Sequence, residues 1–270
     1  MGWEGEAFTN KELERIMITD SYDKSEALIT PFMCYKRIEK PIKTSLIIFS
    51  REIYQYILST FETKKIGSMF LANGEIPIYC FTYKGTEIAF YLSYISSTCA
   101  STFVEESSVI TGASNYVLFG SCGTLDKEKT EGKVIVPTEA YRDEGMSYHY
   151  KEKSDYIKIK NYNRLSSFFE KNNIPYIEGK VWTTDSFYRE TKEQYKKRKE
   201  EGCIAVEMEI AGVEAVCEYY GLNLYAFLLS GDTLSDEGWR DRNNLKIANH
   251  SLDKLYFALE FIVNELKNDC

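Results

Sequence analysis

Residues Cys203–Asp232 read CIAVEMEIAGVEAVCEYYGLNLYAFLLSGD. Two apolar runs, Cys203–Met208 and Leu222–Ser230, flank a segment whose small and branched apolar residues recur at helical spacing. Short apolar runs suit strands buried on both faces, and the segment between them suits a helix that crosses from one strand to the next. The spacing therefore predicts strand 203–208, helix 210–220 and strand 222–230. Upstream, a polar helix is expected near 161–172, a strand at PYIEGKVWTT (175–184) and a charged, solvated helix at 189–202. A long terminal helix is expected over 244–267. The first half reads differently. TSLIIFS (44–50) is a buried strand and REIYQYILSTFE (51–62) a helix. IPIYCFTY (76–83) and TEIAFYLSY (86–94) form a hairpin about Lys84-Gly85. STCASTFVEESSVITG (97–112) is a helix, NYVLFGSCG (115–123) a strand running into a glycine-flanked turn, and KVIVPTEA (133–140) a strand. Alternation in one half and hairpins in the other predict the α/β class, a single domain with a mixed sheet flanked by helices. Residues 1–40 are polar and read as an N-terminal appendage to a domain of residues 41–270.

The chain has 270 residues, 44% hydrophobic, which is enough for one large core. Its net charge of -8 disfavours nucleic acid as a partner, because a phosphate backbone calls for a basic face. An anionic small substrate would need a locally positive pocket. The seven cysteines are scattered without a CxxC, and only His149 and His250 accompany them, so neither a metal site nor a disulfide framework is expected. No apolar run approaches the roughly 20 residues of a membrane helix, and the first ten residues, MGWEGEAFTN, do not read as a signal peptide. A cytoplasmic protein with reduced thiols and no membrane partner is the expectation.

Five stretches carry groups suited to chemistry. Glu207-Met208-Glu209 sets two carboxylates about a methionine at a strand end. On a strand both acids share a face, and a carboxylate accepts two hydrogen bonds, as a sugar diol requires. The same acids also suit the first turn of a helix. GSCGT (120–124) offers backbone N–H groups and the Ser121 hydroxyl for an oxyanion or sugar oxygen, or is an ordinary tight turn. Cys122 reads as a packed thiol, since no histidine lies near it in sequence. VWTTDSFYRET (181–191) places Phe187 to stack on a planar base, with Thr184 at the base edge, or to fill a core. LLSGDTLSDEGWRDR (228–242) puts Asp232 at the carboxyl end of a strand, where open α/β sheets bind ligands, or makes it a cap. YRDEGMSYHY (141–150) holds His149, to which no chemical role is assigned.

Taken in order, GSCG, RDEGMSYHY, TTDSFY, VEME followed by AGVEAV, and SGD at a strand end resemble the nucleoside phosphorylase family with the purine and uridine phosphorylase fold. The similarity covers roughly residues 43–265, and RDEGMSYHY resembles the uridine-phosphorylase-like branch. The resemblance implies a partly barrel-like mixed sheet of the phosphorylase/hydrolase type. It implies cleavage of a nucleoside N-glycosidic bond by phosphate, giving free base and ribose 1-phosphate, with inorganic phosphate as co-substrate and no cofactor. It assigns ribose binding to Glu207, Met208 and Glu209, base binding to Thr184 and Phe187, the general acid to Asp232, and phosphate binding to Ser121 and Arg51. Arg240 or Arg242 would orient Asp232. A homo-oligomer, dimer or hexamer, is implied as well.

Uridine enzymes of the family read uracil with a Gln and an Arg after the Phe-Tyr pair. Here the stretch is RETKEQ, which weakens a uridine assignment and favours a purine or another base with an acidic requirement. The phosphate half departs from the family pattern. IIFSRE replaces a glycine turn with arginine, Leu118 stands where relatives carry an arginine, and YLSYISS (91–97) replaces a glycine-rich stretch. No histidine precedes His149, so the usual neighbour-supplied histidine has no counterpart. A nucleosidase using water, or a nucleoside-binding protein without catalysis, are the alternatives these departures imply.

Overall fold

Thr44–Ile48 forms the first strand, β1, and is buried at every residue. Leu46 and Ile48 enter one apolar cluster and Ile47 the other, so strand alternation divides the core between two faces of one sheet. The computed structural model describes residues 17–241 and 244–267. The further strands are β2 (Thr63–Leu71), β3 (Gly74–Tyr83), β4 (Thr86–Leu92), β5 (Asn115–Thr124), β6 (Val134–Asp143) and β7 (Tyr156–Lys158). They continue as β8 (Tyr176–Thr184), β9 (Cys203–Glu207), β10 (Asn223–Ser235) and β11 (Gly238–Arg240). The helices are α1 (Pro31–Cys34), α2 (Arg51–Thr60), α3 (Ser97–Thr111), α4 (Lys127–Thr130) and α5 (Ser147–Tyr150). After them come α6 (Tyr162–Lys171), α7 (Lys192–Glu200), α8 (Ile210–Tyr220), α9 (Asn244–His250) and α10 (Leu252–Phe261).

All strands join one mixed sheet, ordered β11-β10-β6-β8-β9-β5-β1-β4-β3-β2, with β7 on β6. A further pairing of β10 with β5 closes β10, β6, β8, β9 and β5 into a ring. The sheet is thus partly a barrel, with β1 to β4 as an open wing. Helices α3 and α8 cover one face through Phe103, Val104, Ile210 and Val213. Helices α2, α6 and α10 cover the other through Ile53, Phe168, Phe169 and Leu259.

Two expectations are corrected, and one strand was missed. GSCG is not a turn: β5 runs on through Thr124, and Gly123 and Thr124 pair with β9. A Cβ on Gly123 would stand 2.9 Å from side-chain carbons of Leu234 and Val206, so this glycine serves close packing, not chain reversal. The terminal helix is broken at Ser251, whose extended backbone and hydroxyl cap α10 by accepting from Asp253 N at 3.3 Å. Strand β2 was not foreseen. It is the sheet's edge, a bulge between Lys65 and Gly67 breaks its register, and outward lysines blur its alternation.

Helix α8 carries the end of the VEME motif, and Gly212 sets how closely it lies on α3. The Gly212 N–H donates to Ser97 Oγ at 3.2 Å. An added Cβ would run into that hydroxyl and come within 3.0 Å of Ser101 Oγ. Gly212→Ala is expected to cost about 1–3 kcal/mol by overpacking this crossing, read as a lowered urea midpoint at unchanged slope.

Candidate active site

Strand β9 ends at Glu207, and the chain then turns so that Glu209 occupies the N-cap position of α8. The two acids of VEME therefore do different work. Glu207 is turned inward: its carboxylate accepts from the N–H groups of Glu209 at 2.7 Å and Ile210 at 2.8 Å, and from the Thr183 hydroxyl. It satisfies the orphan donors of the helix start. Glu209 accepts the N–H of Ser96 at 3.0 Å, and a carboxylate with so few donors keeps acceptor capacity free. Ser96 holds φ 130°, a conformation that favours glycine, within the YLSYISS stretch that replaces the family's glycines. That backbone geometry aims its N–H at Glu209. Burial pushes both carboxyls above the usual range. The Glu207 charge raises Glu209 further, and the three donors to Glu207 pull that group back down.

Glu207, Met208 and Glu209 line a cleft of about 650 Å³. Phe187 and Asp232 line it as well, and so do Ser121 and Arg51. Of the eight residues singled out from the sequence, only Thr184 lies outside its lining. It is buried at the end of β8, with its hydroxyl donating to Asp143 Oδ2 at 3.3 Å and accepting from Ser186 N at 3.2 Å, so it shapes the turn before Phe187.

Asp232 sits inside β10, beside the register shift between Ser230 and Thr233. It is 5% exposed, and Oδ2 accepts from Trp239 Nε1 at 2.6 Å. Trp239 comes from β11, which folds back on β10. The orienting partner is thus an indole. Arg240 pairs with Glu237, and Arg242 lies outside the described residues. Glu190 also lines the cleft; burial, and next the charge of Asp232, push its carboxyl up to about 7.

The other end of the cleft is cationic. Lys254, on α10, is 1% exposed and lines the cleft. Its ammonium donates to the carbonyls of Ala248 and, at 3.3 Å, Asn249. Among the described residues it forms no ion pair, and burial lowers its pKa to about 8. Arg51 lines the same end from the start of α2. The Ser121 hydroxyl is bonded to Asn249 Oδ1, and His250 Nδ1 lies 2.9 Å from Ser50 Oγ and 2.8 Å from Glu52 Oε2. Leu118, at the family's arginine position, is packed in the core. Cys122 is a buried thiol pushed well up by burial, which excludes it as a nucleophile at neutral pH. Among the described residues no group of three or more His, Cys, Asp or Glu side chains is disposed to hold a metal ion, and no helix is long and apolar enough to cross a membrane.

Sequence reasoning missed Lys254, Trp239 and Glu190. A single lysine inside an apolar helical stretch is the only signal Lys254 gives. Glu190 was hidden in a charged run, and Trp239 was masked by the two arginines beside it.

The family model of the phosphorylase superfamily matches residues 49–261. A DeoD-type purine nucleoside phosphorylase of an Exiguobacterium species is 27% identical over 185 residues, 67% of this chain and 76% of that protein. A guanosine phosphorylase of Halorubrum lacusprofundi is 30% identical over 153 residues, 56% of this chain and 63% of that protein. Among solved structures, the futalosine hydrolase of Helicobacter pylori superposes with a TM-score of 0.62 at 18% identity, covering 82% of this chain and 96% of that one. The 5'-methylthioadenosine/S-adenosyl homocysteine nucleosidase of the same organism gives 0.63 at 18% identity, covering 84% and 99%. These two show the fold. With the superfamily model spanning most of the sequence, from the end of β1 to the last turn of α10, this chain belongs to the phosphorylase superfamily.

Proposed function

We propose that this protein cleaves the N-glycosidic bond of a purine nucleoside with phosphate, releasing free base and pentose 1-phosphate. The observation that carries phosphate over water is Lys254. A buried ammonium without a carboxylate is costly, and an anion bound in the cleft offsets that cost. Arg51 and Ser121 complete the anion end, in place of the arginine lost at Leu118.

The rest of the cleft fits the same reaction. Glu209 takes the sugar hydroxyls with its free acceptor sites, Met208 packs on the pentose, and Glu207 braces the turn that holds both. Phe187 stacks on the base. As the C1′–N bond breaks, a phosphate oxygen bonds to C1′ from the opposite face and the bonding pair passes to the base. Asp232 meets that developing charge with a proton or hydrogen bond, help worth typically 10²–10⁴ in rate. Glu190, protonated up to about pH 7, keeps an exchangeable proton next to Asp232. A homo-oligomer belongs to the same proposal, and the exposed Leu28, Ile29, Phe32 and Met33 offer apolar contact surface for it.

The test is a nucleoside panel with and without phosphate, with the sugar product identified. Pentose 1-phosphate formed only with phosphate is the expected result; free pentose formed without phosphate refutes phosphorolysis. Trp239→Phe keeps the ring and removes the donor to Asp232. About tenfold slower purine turnover is expected, together with a lowered melting temperature because the β10–β11 hydrogen bond is lost, since hydrogen bonds to charged groups are worth about 1.5–3 kcal/mol.

A further inference from the structure

A second cavity, of about 400 Å³, adjoins the cleft. Phe187 and Glu190 line both spaces. Beyond them the outer cavity is walled by Tyr188, Tyr195, Leu234 and Trp239. Its size falls within the roughly 300–1,000 Å³ of small-molecule sites, and its walls are largely apolar, with four aromatic side chains, as such sites usually are.

The two spaces meet at the base end of the cleft. Trp239 stands at the junction: its indole N–H holds Asp232 at 2.6 Å, while the residue also lines the outer cavity. Tyr188 and Trp239 are 92% and 58% exposed, large aromatic surface at the rim of a catalytic cleft. Lys192 is the one basic side chain in this lining, so the cavity has no cluster of cations to select an anion.

We propose that the outer cavity is a subsite for an apolar, aryl-sized substituent carried on the exocyclic edge of the nucleobase. The substrate class then includes base-modified purine nucleosides. The proposal rests on the reading that Phe187 receives the base. A ligand stacked on Phe187 and extended past Asp232 enters the space between Tyr188 and Trp239, where its substituent exchanges water for aromatic contact.

The test uses the purified full chain in phosphate buffer and calorimetric titration with adenine and with 6-benzylaminopurine. The benzyl compound is expected to bind about tenfold tighter or better, the gain for burying one aryl group. Tyr188→Ala should remove most of that advantage and leave adenine affinity unchanged, which also shows the fold intact. Equal or weaker binding of 6-benzylaminopurine by the native chain overturns the subsite. So does a Tyr188→Ala chain that changes oligomeric size in gel filtration and keeps the native affinity ratio, because the face is then an inter-subunit surface. Turnover of N6-benzyladenosine against adenosine separates the two readings. Preferential binding without cleavage of either nucleoside overturns the reaction and sustains the subsite. Failure of both bases to bind overturns the subsite together with the base position.

Discussion

Asp232→Asn will turn over purine nucleosides at least about a hundredfold more slowly than the native chain, at unchanged melting temperature. The amide can still accept from Trp239 Nε1 through its oxygen, so the buried hydrogen bond that ties β10 to β11 survives. What is lost is an acid able to pass a proton to the departing base. Initial rates and a thermal melt on the same preparation decide it. A rate within a few-fold of native removes Asp232 from the chemistry. Glu190 supplies the matching pH dependence. Its folded pKa of about 7 lies above the ordinary carboxyl value, so it is neutral below that pH and adds a charge next to Asp232 above it. Purine turnover should therefore decline as pH rises through about 7, and Glu190→Gln should flatten that limb.

Lys254→Met will raise the phosphate KM about ten- to a hundredfold and at the same time make the protein more stable. The first effect follows from deleting a charge-assisted donor worth about 1.5–3 kcal/mol from the anion end. The second follows from the depressed pKa. A fall from 10.5 to about 8 corresponds to ~3 kcal/mol of disfavour for the folded ammonium, and Met fills a similar volume without charge. The sign of the linkage is fixed. Between about pH 8 and 10.5 the unfolded chain binds the proton that the folded chain has released, so the native penalty is full below 8 and disappears as pH rises through that window. The variant has no such dependence at this residue. Urea melts at pH 7 and phosphate saturation curves are the measurements. A phosphate KM within threefold of native, or a loss of stability, would take Lys254 out of the anion site.

What the sequence made legible was set by local periodicity. The runs at β1, β3, β4, β8 and β9 announce themselves because each residue's burial follows from its immediate neighbours. The ring could not be read that way. Its closure depends on β10 pairing with β5 over residues 115–124 and 223–233, a register that no local pattern encodes. GSCG looked like a turn because glycine ordinarily marks one; here it marks a place where Leu234 and Val206 approach the backbone. The order of motifs pointed to Met208, Glu209, Phe187 and Asp232, which the fold gathers into one cleft from three separate segments. The order did not separate the roles of the two glutamates. Strand alternation put them on a common face, but the chain leaves the sheet after Glu207, and the helix start claims that carboxylate for its own N–H groups. Lys254 escaped because charge at one position of an apolar helix is informative only once the opposite wall of the cavity is known.

The closed circuit of strands has a mechanical outcome. Glu207 and Asp232 are borne by hydrogen-bonded ladders that come back on themselves, so the floor of the cleft has no free edge along which to widen. Phe187 to Arg189 and the Trp239 hairpin hang outside that hoop, fastened by short turns. On the proposed reading, a lineage built on this scaffold can exchange one nucleobase for another by redrawing two peripheral loops while the grip on the sugar stays as it is.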